Sequence, residues 1–97
     1  MKHEVMRGLM RTVMDGLKDT QMQYEYAVAA MEHGEPALAR AHIEEAHKRL
    51  TGTQEWWKHA DVMAGEDPMY SLAMDYYHEW CHKLKAEIEA FMRDGGK

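Results

Sequence analysis

The amino-acid sequence predicts an all-α protein, an antiparallel up-down-up bundle of three helices, and three observations carry that prediction. Apolar residues recur in three separate stretches, with steps that alternate between four and three. Two short segments place glycine and proline where one helix would stop and the next begin. Those segments are too short for neighbouring helices to do anything but fold back on one another. The 97 residues read as one domain, 1–97, with helices near 3–33, 36–63 and 68–93.

The first helix carries its stripe through Met6, Met10, Val13, Leu17, Thr20, Tyr24, Ala27 and Met31. A four-three alternation keeps one narrow face of a helix turned to a partner and favours left-handed, coiled-coil-like crossing. His33-Gly34-Glu35-Pro36 then offers a glycine for a left-handed helix end and a proline for the first turn of the next helix. The second stripe runs Ala39, Ile43, Ala46, Leu50, Thr53, Trp57 and Ala60. Its weak point is Gly52, which costs a helix roughly 1 kcal/mol relative to Ala. A hinge is one reading of Gly52; the other is that it makes room for Trp80, which falls at a similar height. Ala64-Gly65-Glu66-Asp67-Pro68 repeats the punctuation, with Asp67 as N-cap and negative charge at the positive end of the third helix. The third stripe is Tyr70, Met74, Tyr77, Cys81, Leu84, Ile88 and Phe91, and Asp94-Gly95-Gly96-Lys97 reads as a frayed end.

Composition narrows the function classes. Twelve Lys and Arg against seventeen Asp and Glu give a formal charge of −5 at pH 7, without the basic face that phosphate neutralisation needs. Nucleic acid is therefore not the expected partner. Met1-Lys2-His3-Glu4-Val5 shows no apolar signal region, and the longest apolar run, Ala27 to Met31, is far short of a membrane span. A single cysteine, placed in an apolar stripe, fits a reducing, cytoplasmic setting. Tyr26, Trp56, Tyr76 and Trp80 project away from the stripe centres at 100° per residue. Surplus aromatics on a small bundle favour a partner helix or a second copy, so a homodimer is expected.

Two motifs could carry chemistry. His78-Glu79-Trp80-Cys81-His82 resembles the His-Glu-x-x-His motif of the zincin metalloproteases, in which two imidazoles one turn apart share a metal and the Glu handles a water's proton. The match spans five residues, with no sheet edge for a substrate and no downstream third ligand, and no proteolysis is assigned. Glu44-Glu45-Ala46-His47 and Glu79-Trp80-Cys81-His82 are both Glu-x-x-His, and Glu25 lies on the first helix. This set resembles the ferritin-like di-iron carboxylate proteins. The resemblance implies an iron-oxidising or iron-storing protein with Glu25, Glu44, His47, Glu79 and His82 as ligands, its site completed by dimerisation. At 100° per residue Glu44 and Glu79 lie opposite their apolar stripes, and His47 and His82 lie on the flanks.

A more modest site is the i, i+4 pair His78 and His82, which suits Zn, Ni or Cu with ligands added by another helix or subunit. Asp75 and Cys81 stand nearby in sequence, Asp15 and Asp19 offer further ligands from the first helix, and His42 and Glu45 from the second. His3, Met6, Met10 and Met14 have a spacing that would suit Cu(I), although Met6 and Met10 belong to the core stripe. No activated Ser or Cys and no phosphate-cradling loop is present, so no catalytic residue is assigned. The reading is a small, self-associating helical-bundle interaction protein with a transition metal at His78 and His82. The ferritin-like di-iron protein is the alternative, and if the chain is an enzyme it is a metal-dependent oxidoreductase of that type.

Overall fold

A computed structural model of the chain describes residues 2–65 and 67–95, and apart from two short connections these are helical, with no strand. The helices are α1 (Lys2–Glu32), α2 (Pro36–Ala64) and α3 (Pro68–Asp94), within a residue of the predicted boundaries. The stops work as their sequences suggest. Gly34 takes φ +73°, its N–H reaches Met31 O, and the Glu35 N–H reaches Ala30 O, so the last carbonyls of α1 are satisfied. Pro36 opens α2, and Glu35 before it makes no side-chain cap. At the second connection Gly65 has φ +56°, and the Asp67 carboxylate accepts from the Met69 N–H at 3.1 Å. Glu66, Gly96 and Lys97 lie outside the described residues.

Every residue of the three predicted stripes is buried or half-buried. Met6, Val13, Leu17 and Ile88 are fully enclosed, with Ala46, Leu50, Met74 and Leu84 beside them. Two stripe positions are polar, and both are satisfied locally: Thr20 donates to Gly16 O and Thr53 to Arg49 O, each one turn back.

The seams between helices differ in width. Small residues line the α1–α2 seam, and these two helices lie closest together. A β-carbon at Gly16 would stand 2.1 Å from Thr53 Oγ1, so this glycine is required by the approach of the two backbones. Gly16 meets Thr53, Asp19 meets Arg49 and Gln23 meets His42, numbers rising along α1 as they fall along α2. Between α1 and α3 long side chains span the gap: His3 is hydrogen-bonded to Tyr70, and Tyr24 packs edge-on to Phe91 at 6.2 Å. Here the numbers rise together.

Gly52 does not have the packing role the sequence suggests. A β-carbon there would meet nothing within 4 Å, because Trp80 turns toward α1 and donates to Gln21 Oε1 at 3.0 Å. Equal height on two helices does not imply facing sides.

Candidate functional site

The third helix presents three faces, and the functional candidates divide among them. Its core stripe occupies one. On the flank facing α2, His78 and His82 stand one turn apart with ring centroids 4.4 Å apart and planes tilted by 31°. Both are exposed. Trp57 of α2 lies 4.7 Å from His78, centroid to centroid, and its indole N–H donates to Met74 O at 3.3 Å. Trp57 and both histidines line a cavity of about 190 Å³ that also receives Gln54, Lys58, Lys85 and the edge of Cys81. Cys81 itself is buried, and burial pushes its thiol above the ordinary range, so it remains protonated and unreactive as the stripe position predicts.

Glu79, one residue from His78, points about 100° away around the helix. It lines the groove between α1 and α3 with Gln21, Tyr76, Trp80 and Lys83. The His-Glu-x-x-His motif thus spans two grooves, with its imidazoles lining one and Glu79 the other.

The ferritin-like set is dispersed in the same way. Glu25 is exposed and accepts from Gln21 Nε2 at 3.2 Å, one turn back on its own helix. Glu44 lines a cavity at one end of the bundle with Arg40, Met31 and Phe91, and His47 is exposed on α2. Among the described residues no three or more His, Cys, Asp or Glu converge on a point that could hold a metal ion. Of the extra ligands considered from α1 and α2, Asp15 is exposed, and Asp19, His42 and Glu45 are engaged elsewhere. His42 is hydrogen-bonded to Gln23 at 2.8 Å and stacks near Tyr26, while Arg49 bridges Asp19 (2.5 Å) and Glu45 (2.8 Å). The hydrogen bond of Glu45 holds the Arg49 guanidinium above its ordinary range, as does the charge of Asp19, against some desolvation. Of the four residues spaced for Cu(I), Met6 is fully buried in the core and His3 is held by Tyr70.

The aromatics expected on the surface also divide: Tyr26, Trp56 and Tyr76 are exposed, whereas Trp80 is half-buried against the core. Tyr76 and Trp80 meet edge-on at 6.2 Å on the α1 side of α3, Tyr26 lies against His42, and Trp56 lies near His59. They do not form one patch. Sequence reasoning missed a line beside the first of these: Met69 and Leu72 are 71% and 74% exposed, and Tyr76 is 63% exposed. With Trp80 they fall within about 80° of arc at 100° per residue. The pattern was readable, since 69, 72, 76 and 80 step by three, four and four. Gln54, Lys58 and Lys85 were missed as well, and the signal for them is height: folding the chain at the second connection sets Trp57 level with His78. No helix among the described residues is long and apolar enough to cross a membrane. No protein-family model, curated protein or solved structure matches this chain.

Proposed function

We propose that the chain is a helical-bundle interaction module, an antiparallel up-down-up arrangement with coiled-coil-like packing, that associates with a second copy of itself through the outer flank of α3. The observation that carries this reading is the line Met69, Leu72 and Tyr76, three large side chains each more than 60% exposed on one helical face. Isolated exposed apolar residues are ordinary on a small protein, but a stripe at helical spacing is what a partner helix covers. The descending contacts between α1 and α2, and the rising ones between α1 and α3, support the up-down-up path. Three helices leave one side of a four-helix arrangement uncovered, and a two-fold pairing of α3 flanks supplies the missing cover.

Sizing with light scattering across a micromolar concentration series tests the proposal. The native chain is expected to weigh twice its monomer mass at high concentration, and Leu72→Glu with Tyr76→Glu to remain monomeric with unchanged helical content. A native chain that stays monomeric at high micromolar concentration overturns it. Metal binding is a second reading, favoured by the 4.4 Å spacing of the His78 and His82 rings. The two imidazoles of one chain are half of a tetrahedral shell, so this reading, and the iron-dependent alternative still more, needs ligands from a copy seated on the α2 side of α3, a different pairing from the one through Met69, Leu72 and Tyr76. Metal analysis of protein purified without chelator decides it: near-stoichiometric zinc, nickel or copper supports the two-histidine site, iron the ferritin-like one, and no metal neither.

A further inference from the structure

The cavity between α2 and α3 has a chemistry that its histidines alone do not convey. On a chain of formal charge −5, its rim carries His78, His82, Lys58 and Lys85, and no Asp or Glu lines it among the described residues. Two lysine ammonium groups repel a bound cation and attract an anion. One wall is the flat, half-buried indole of Trp57, set against the His78 ring. The Gln54 side chain adds an amide donor at the edge. An apolar cavity of about 150 Å³ holds benzene. This one, of about 190 Å³, has room for one ring and a charged substituent.

From this juxtaposition we infer that the cavity is a binding site for a small aromatic carboxylate, its ring against Trp57 and its carboxylate among Lys58, Lys85 and the two imidazoles. Carboxylates near the rim do not fill it. Glu55 meets Lys58 at 3.4 Å in an exposed pair on α2, and such pairs hold little energy. Lys85 makes no ion pair among the described residues, and Glu89 stands a turn beyond it in an adjoining groove that Lys85 and His82 also line and that Arg93 closes, outside the cavity itself. The site lies on the flank of α3 opposite the proposed dimer face, so it does not depend on self-association.

Benzoate titrated into isotopically labelled full-length protein, followed by the Trp57 indole and the His78 and His82 ring resonances, tests the inference. Saturable shifts at these three residues are expected. Benzamide, the neutral isostere, is expected to leave them unmoved. Lys58→Gln with Lys85→Gln should weaken benzoate by about tenfold or more, because both cationic partners of the carboxylate are removed. Both lysines are exposed, and circular dichroism of the variant verifies its fold. Three results overturn the inference: no saturable shift with millimolar benzoate, equal binding of benzamide, or equal benzoate binding by the double variant. Inorganic phosphate binding as tightly as benzoate overturns the aromatic part, and zinc moving both imidazoles where benzoate does not overturns the anion site in favour of a metal.

Discussion

Two glycines in mid-helix make opposite demands. Gly16 is pressed by Thr53, whose hydroxyl is already committed to the Arg49 carbonyl and cannot rotate away without losing that bond. Gly16→Ala is expected to lose stability, since overpacking costs about 1–3 kcal/mol and the gain in helix propensity returns about 1. Thr53→Ala in the same chain should recover part of the loss. Gly52 faces open space, and Gly52→Ala should add about 0.5–1 kcal/mol, read as a raised midpoint in urea. Cys81 gives a further test at this scale. Burial raises the folded thiol, so the unfolded state releases its proton first as pH rises. Stability is therefore unaffected below the ordinary thiol range and falls as pH climbs from that value toward the folded one, with Tyr24, raised by burial and then by Glu87, adding its part at higher pH. Cys81→Ala should flatten the first part of that descent, and native Cys81 should react with thiol reagents only when α3 opens and exposes its core stripe.

At the scale of the elements, much was legible. Periodicity fixes which face of each helix is core, and Gly34, Gly65 and Asp67 mark the ends because only a few residue types satisfy the backbone there. Leu50→Ala, at a position 3% exposed in the middle of α2, should cost about 2–5 kcal/mol by urea denaturation. What the sequence leaves open is how flanks face one another. Trp80 was matched with Gly52 by height, yet its indole crosses to Gln21, because height is set by the turns and facing by the rotation of each helix. The rotation of α3 likewise decides which grooves its flanks line, with His78 and His82 toward α2 and Glu79 toward α1. Lys58 and Lys85 are unremarkable in their own helices and acquire meaning only when α2 and α3 come together.

The whole molecule is a rod, 49 × 18 × 16 Å, with a radius of gyration of 15.1 Å against about 13 Å for a compact domain of 100 residues. Its length is that of one 31-residue helix, so the side of the rod is almost all of its surface. That shape gives the α3 flank and the α2–α3 cavity separate sides, so the proposed dimer and the proposed ligand can be tested independently. The unequal seams, close between α1 and α2 and wide along α3, also set an order of opening. The α1–α2 pair, locked at Gly16 and Thr53 and tied by Arg49, is expected to hold together longest. The third helix, held by long side chains across a wider gap, detaches first. Native-state hydrogen exchange should therefore resolve two tiers, with amides of α3 exchanging through a partial opening at denaturant concentrations where α1 and α2 still require global unfolding. Uniform protection across all three helices would contradict it. If α3 does open alone, it releases its core stripe together with its outer one, and two chains that exchange third helices would form a swapped dimer without separating α1 from α2 in either.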